Sequence, residues 1–307
     1  MRILMVGAGA TGGYFGGRMA LAGRDVTFLV RGQRKEQLQR DGIRIAGPSG
    51  DATLSQPKLI TAEELKSAGA FDVVIISVKA YSLESAMNDF AAAVGDNTVI
   101  VPILNGMRHL DTLAHRFGKE KVMGGSVRIV CDVEPDGLIR QMTKLDHMNF
   151  GEIDGTVTTR AQALYDAFSV PGITLVLSKD IIDTMWQKWW ILSTMGAVCV
   201  LGGGNVGEIV ATGEHGVAMA LAVQDEAIAI ATANGHPADA EFVKGHGQRM
   251  TEAGSTLTSS MYRDMTKGLP VEADHILGDL LARANGVKAP LLGAAYTHLK
   301  VYEGRRG

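Results

Sequence analysis

Cysteine is scarce in this chain, and its scarcity excludes two kinds of protein. Only Cys131 and Cys199 occur among 307 residues, too few for a disulfide framework, and neither sits in a metal-ligand spacing. A reducing cytoplasm suits such a chain and is the expected location. An excess of one charge is also missing. Thirty Lys and Arg against 33 Asp and Glu leave −3, which gives no reason to expect nucleic acid or an anionic membrane as partner. The first residues do not read as a signal peptide, because the apolar run is short and ends at Gly7. Long hydrophobic runs are nearly absent. One uncharged stretch of 19 residues, between Lys188 and Glu208, approaches membrane-spanning length. Gly196, Gly202, Gly203, Gly204, Asn205 and Gly207 interrupt it, so it reads as a buried helix followed by a glycine-rich turn.

What is present is an ordinary globular balance, 46% hydrophobic and 21% charged. The length exceeds that at which one core keeps growing, so two domains are expected. Short apolar runs at 2–6, 25–30, 73–78 and 98–104 read as strands, with helical stretches at 11–22, 82–93 and 109–117 between or after them. Continuous β-branched runs separated by helices indicate a parallel sheet covered on both faces. The pattern persists less cleanly at 122–130 and 147–153, then gives a helix near 158–168 and a strand at 173–177. Beyond Ser178 the texture is helical, at 181–201, 212–234, 238–265 and 271–285, with Pro237, Pro270 and Pro290 at first turns or breaks. The fold class is therefore α/β, with an N-terminal Rossmann dinucleotide-binding domain over 1–179 and an all-α domain over 180–307.

Gly7-Ala8-Gly9-Ala10-Thr11-Gly12 is a G-x-G-x-x-G sequence. Alone it is weak, but here it lies between a strand and a helix. There Gly7 permits the tight turn, Gly9 lets the backbone approach a pyrophosphate, and Gly12 lets the helix pack closely on the strand. An NAD enzyme normally carries Asp or Glu at the end of the second strand. This chain has Val30-Arg31-Gly32-Gln33-Arg34-Lys35 instead. Arg31 stands where a guanidinium could grip an adenosine 2′-phosphate, which favours NADPH; a solvated basic loop is the alternative. Lys79 and Asn105-Gly106 each follow a strand, at the carboxyl edge where open parallel sheets bind ligands. A surface lysine and a hairpin turn are their alternatives.

These motifs, together with SVKAYS around Lys79, ILNGM around Asn105, WQKWW around Lys188, SSMYRD around Ser260 and VEADHILG around Glu272, resemble the ketopantoate reductase family. The match runs in order from residue 3 to about 285. The resemblance implies a cytoplasmic NADP-dependent oxidoreductase that reduces 2-dehydropantoate (ketopantoate) to pantoate, in pantothenate biosynthesis. It implies Lys188 as the general acid, Glu272 at the substrate hydroxyl end, Ser260 at the carboxylate, and Lys79 and Asn105 at the nicotinamide and substrate contact. The helical half could support a homodimer, though no residue pattern demands one.

The residues support part of this. On a helix through 181–196, Trp186, Trp189 and Trp190 share one face, and Lys188 lies on another with Leu192, Met195 and Gly196. Apolar neighbours lower a lysine pKa toward neutrality; a stem lying along apolar surface with its amine in water is the alternative. The tryptophans read as core. Glu272 with His275 at i, i+3 and Asp111 with His115 at i, i+4 lack a second pair, so no metal is expected. The chain also departs from the family. Leu192 and Gly196 stand where asparagines are typical, and Leu269 where an arginine is expected. These changes imply a roomier, more apolar pocket and a less polar 2-oxo acid as the alternative substrate. A non-catalytic NADPH-binding sensor is the reading from a different class; retention of both Lys188 and Glu272 argues against it.

Overall fold

The computed structural model describes residues 1–306, and the chain divides into two compact units. The first comprises Met1–Leu104 and His109–Ile182. Its central sheet has five strands: β1 (Arg2–Val6), β2 (Asp25–Leu29), β5 (Lys58–Ile60), β6 (Val73–Ile76) and β7 (Val99–Pro102), in the order β5-β2-β1-β6-β7. All neighbours pair in parallel; Leu4, for example, lies opposite both Thr27 and Val74. The runs VVII of β6 and VIVP of β7 are buried throughout, as strands covered on both faces must be. The chain winds outward from β1 through β2 to β5, returns to β6 and continues to β7. The strand order thus reverses between β1 and β6, which marks the ligand crevice at their carboxyl ends. The helices of this unit are α1 (Ala10–Leu21), α2 (Gly32–Asp41), α3 (Ala62–Ala68), α4 (Leu83–Phe90), α5 (Arg108–Phe117) and α6 (Thr159–Phe168). Tyr14, Phe15 and Met19 of α1 enter the core beside Met5 and Phe28.

The weaker strand signals beyond residue 120 belong to a second sheet rather than to the parallel one. It contains β3 (Ile43–Ala46), β4 (Ala52–Leu54), β8 (Gly124–Val133), β9 (Ile139–Gly151) and β10 (Thr174–Leu177). β8 and β9 form an antiparallel hairpin with a register shift between Ile129 and Cys131. β10 and β3 flank β9 in parallel, and β4 closes the edge antiparallel to β3.

The second unit comprises Asn105–Arg108 and the chain from Asp183 onward. Its helices are α7 (Ile181–Gly202), α8 (Val206–Val210), α9 (Glu214–Ala233), α10 (Ala240–Met250), α11 (Ser260–Thr266), α12 (Asp279–Ala282) and α13 (Pro290–Arg306). Among the described residues no strand follows β10. The single helix expected over 238–265 is two. Met250 ends α10, and Gly254 takes a φ of +71° that no helix accommodates. Ser259 then restarts the helix by accepting a hydrogen bond from the Tyr262 amide at 3.0 Å. Pro290 opens α13 at the first helical position, where its missing N–H costs nothing.

Trp186, Trp189 and Trp190 are all buried, so the tryptophan face of α7 is core. Trp190 packs edge-on against His246, with centroids 4.9 Å apart. The His246 Nδ1 meets Gln224 Oε1 at 2.5 Å, while its buried Nε2 has no partner. Burial pushes the His246 pKa from 6.5 down to about 4. The folded imidazole therefore resists protonation more than the unfolded one. Its contribution is complete above pH 6.5 and is lost as pH falls toward 4. Unfolding free energy should drop by roughly 2 kcal/mol from this group between about pH 7.5 and about pH 5. Denaturant titrations of the wild type and His246→Gln check this; parallel pH dependences in the two proteins would show the assignment to be wrong.

Candidate active site

The glycine motif forms a cradle at the switch point of the parallel sheet. Gly7, with a φ of +97°, turns the chain off β1 in a conformation that side chains disfavour. A Cβ on Gly12 would stand 2.0 Å from the Gly7 carbonyl oxygen and 2.1 Å from Ser77 Oγ. Helix α1 therefore lies against the strand ends, and Ser77, just past β6, donates to the Gly7 carbonyl at 2.8 Å. Gly9 is the reverse case: a Cβ there meets nothing within 4 Å. It is the N-cap of α1, has no capping side chain, and no acid occupies the first turn. The amides of that turn thus remain for a ligand, and the opening above Gly9 fits a pyrophosphate. Ala8, Ala10 and Thr11 complete the loop. The Cys131 thiol contacts Thr11, and burial pushes it up to about 12, so it is no nucleophile at neutral pH.

Arg31 lies two residues beyond the end of β2, in extended conformation as the N-cap of α2. Its Nε donates to Asp89 Oδ2 at 2.5 Å and its Nη2 to Ser85 Oγ at 3.3 Å, which aims the exposed guanidinium toward α4. Arg34, which the sequence reading did not single out, lies closer to the cradle. Its Nε donates to the Ala8 carbonyl at 2.9 Å and its Nη1 to Gln37 at 2.6 Å; the buried Nη2 has no partner. An orphaned guanidinium nitrogen beside a phosphate cradle suits an anionic cofactor. The available signal was its position one helical turn after Arg31 in the same basic segment. Lys79 is exposed at the carboxyl side of β6, immediately before the turn Ala80–Ser82.

Asn105, Lys188, Ser260 and Glu272 all belong to the second unit. Lys188 is half-buried in the middle of α7, on a stripe with Leu192 and Met195. The next residue, Trp189, donates from Nε1 to the Ile276 carbonyl at 2.9 Å, and Ser193 reaches the same oxygen at 3.3 Å. Ile276 lies in a π-helical turn, Asp274–Gly278, and its amide donates to the Glu272 carbonyl at 3.0 Å. These bonds tie the lysine helix to the turn that presents Glu272. The Glu272 side chain is buried, 5% exposed, and a carboxyl so placed must be held by polar partners. π-Turns of this kind recur at functional sites.

Asn105-Gly106 is pressed on the same turn. Gly106 has a φ of +81°, and a Cβ there would stand 2.6 Å from the His275 carbonyl oxygen and 3.8 Å from Trp189 Nε1. The pair is therefore no hairpin turn but a close approach that only glycine permits. Ser260 opens α11. Ser259 is occupied as the cap of α11, leaving Ser260 as the half-buried first helical residue. Beside it, Met261 packs its methyl carbon 2.6 Å from where a Cβ on Gly196 would be. The room expected above Gly196 is thus taken by Met261, and the surface there is apolar but not enlarged. Among the described residues no group of three or more His, Cys, Asp or Glu could hold a metal.

A glycine cradle without a ribose-binding acid, on a parallel sheet followed by a helical unit, defines a dinucleotide-binding protein. The ketopantoate reductase PanE/ApbA family model matches residues 3–155, and the model of that family's C-terminal region matches 180–303. The chain belongs to this family, whose cofactor is NADPH. It is similar along its whole length to the uncharacterized oxidoreductase YkpB of Bacillus subtilis, 37% identical with 100% of both chains covered. The 2-dehydropantoate 2-reductase of Mesorhizobium japonicum is 28% identical, with 90% of this chain and 89% of that one covered. Among solved structures, 2-dehydropantoate 2-reductase from Geobacter metallireducens superposes with a TM-score of 0.88 at 26% identity, covering 98% of this chain and 99% of that one.

Proposed function

We propose that this chain is a cytoplasmic reductase that converts a 2-oxo acid to the 2-hydroxy acid with NADPH, the substrate carried in its relatives' names being 2-dehydropantoate. The observation that supports this reading is that the helix carrying Lys188 and the Asn105-Gly106 segment are both tied to the π-turn that presents Glu272. When bound, NADPH supplies a hydride to the substrate's carbonyl carbon. The protein supplies the rest. Lys188, set among Leu192 and Met195, gives a proton to the carbonyl oxygen as it gains charge. Ser260 donates to the substrate carboxylate, and Glu272 accepts from the substrate hydroxyl end. Asn105 and Lys79 orient the carbonyl against the nicotinamide. Arg31 and Arg34 hold the adenosine 2′-phosphate, for which Arg31 exchanges Asp89.

A second reading concerns the substrate side chain. Leu192 follows Lys188 by one turn, and Met261 covers Gly196 a turn later. Two positions where family members carry hydrogen-bonding amides are thus apolar, and each lost partner weakens a hydroxylated substrate by about 1–3 kcal/mol. A branched, unhydroxylated 2-oxo acid such as 3-methyl-2-oxobutanoate should then exceed 2-dehydropantoate in kcat/KM by about tenfold or more. The double variant Leu192→Asn/Gly196→Asn, in which the flexible Met261 methyl must yield, should reverse the order. A clear wild-type preference for 2-dehydropantoate would discard the apolar reading and keep the reductase.

A further inference from the structure

We propose that Ser77 and Arg34 are positioning residues for the cofactor's pyrophosphate, each pinning one peptide plane of the glycine loop so that the Ala8 and Gly9 amides are set before NADPH arrives. This role concerns the family's cofactor and does not depend on which acid is reduced. Gly7 and Gly9 have no side chains to restrain the planes beside them, and Gly7 sits at a φ of +97°. A loop so built is free to turn its peptides over unless something outside it holds them. Ser77, just past β6, fixes the first plane. Its own N–H donates to the Val6 carbonyl at 2.9 Å. Its hydroxyl then donates to the Gly7 carbonyl at 2.8 Å, with the Val6 carbonyl next nearest at 3.2 Å. The same oxygen lies 2.1 Å from where a Cβ on Gly12 would be, so it is wedged between the turn off β1 and the first turn of α1.

Arg34 fixes the second plane from α2, where its Nε donates to the Ala8 carbonyl at 2.9 Å. Its Nη1 donates to Gln37 Oε1 at 2.6 Å, and the Gln37 amide nitrogen lies 2.4 Å from where a Cβ on Gly137 would be. Gly137, at a φ of +86°, belongs to the turn between β8 and β9 and so backs the guanidinium through Gln37. Burial is the only cause that moves the Arg34 pKa, downward; this half-buried cation is held by the loop and a glutamine, not by an ion pair. Every peptide bond of the described residues is trans, and in a trans peptide the carbonyl and the next N–H point in opposite directions. A Gly7 carbonyl turned onto Ser77 therefore directs the Ala8 amide away from β6. An Ala8 carbonyl turned onto Arg34 directs the Gly9 amide away from α2. Both amides lie outside β1 and α1, and neither has an acceptor among the described residues. They are successive donors with fixed directions, the arrangement that binds phosphate oxygens.

The test titrates NADPH and NADH fluorimetrically into wild type, Ser77→Ala and Arg34→Met, with thermal melting of the ligand-free proteins alongside. The two cofactors share the pyrophosphate and differ only at the 2′-phosphate. Ser77→Ala should weaken both by the same factor, about five- to tenfold. Its ligand-free melting temperature should stay within about 4 °C of wild type. Arg34→Met should weaken NADPH more than NADH, because Arg34 also serves the 2′-phosphate. Its NADH loss, where no 2′-phosphate is present, reads the loop alone and should match that of Ser77→Ala. Wild-type NADH affinity in either variant overturns the proposal. So does a Ser77→Ala loss confined to NADPH, or one that accompanies a larger drop in melting temperature. A wild type that binds neither cofactor overturns it as well. None of these readouts involves turnover. The predicted pattern in a protein that reduces no 2-oxo acid therefore upholds the positioning role and removes the reductase, and wild-type affinities in an active reductase do the reverse.

Discussion

Lys188→Ala is expected to lower kcat for 2-oxo acid reduction by about 10²–10⁴-fold, the range general acid catalysis usually contributes. NADPH affinity should hardly change, because the glycine cradle lies in the other unit. The variant Lys188→Arg separates a proton donor from a mere positive charge. Arginine keeps the charge, but its pKa of more than about 12 makes it a poor acid. It should therefore be nearly as slow as the alanine variant. Were Lys188 only an electrostatic anchor, arginine would restore turnover, and alanine would raise KM while sparing kcat. Steady-state kinetics of the two variants decide between these roles.

The second large effect concerns the cradle, where two glycines should fail for different reasons. In Gly12→Val the new side chain meets the Gly7 carbonyl, with its Cβ 2.0 Å away. Backbone cannot yield as a flexible side chain would, so α1 must move off the sheet. Both stability and NADPH binding should fall. Gly9→Ala meets no protein atom within 4 Å and has a φ of −83°, which alanine tolerates. Its stability should stay within about 1 kcal/mol of wild type. The added methyl nevertheless enters the space reserved for the pyrophosphate, and NADPH should bind about tenfold or more weakly. Fluorescence titration of NADPH alongside thermal melting separates the two cases. Wild-type NADPH affinity in Gly9→Ala would mean that the cofactor does not lie over this loop.

These contrasts show what kinds of information a single sequence carries. The parallel strands were legible because VVII and VIVP are uninterrupted apolar runs, a pattern that burial on both faces requires. β3, β4 and β5 span only three or four residues with partly exposed positions, too short for any period to register. The β8–β9 hairpin hides for another reason: exposed Met142 and Lys144 interrupt the apolar alternation of β9. Its place in the second sheet is set by β3 and β10, parallel partners from other parts of the chain. The split between α10 and α11 turns on Gly254 and a serine cap, local signals that were present but outweighed by helical composition on either side.

The candidate site divides in the same way. Gly7 through Gly12 stand out in the sequence because their chemistry is tied to spacing, whereas Lys188 and Glu272 stand out only through the family resemblance. Arg34 and Met261 matter through proximity, and proximity is set by tertiary packing. No pattern in the chain says that Arg34 reaches the Ala8 carbonyl or that Met261 fills the space above Gly196. The Asn105-Gly106 pair illustrates the limit most clearly. As a dipeptide it signals a hairpin, whereas its placement on the π-turn beneath Trp189 makes it part of the helical unit.

The most direct test of the central claim is to mix purified enzyme, NADPH and a panel that includes 2-dehydropantoate and branched 2-oxo acids, then measure both NADPH oxidation and product. The account predicts that a 2-oxo acid is consumed, with one 2-hydroxy acid formed per NADPH oxidised. It also predicts that the reaction nearly vanishes in Lys188→Ala. Tight NADPH binding without oxidation by any acid on the panel would contradict it and point to a cofactor-sensing protein.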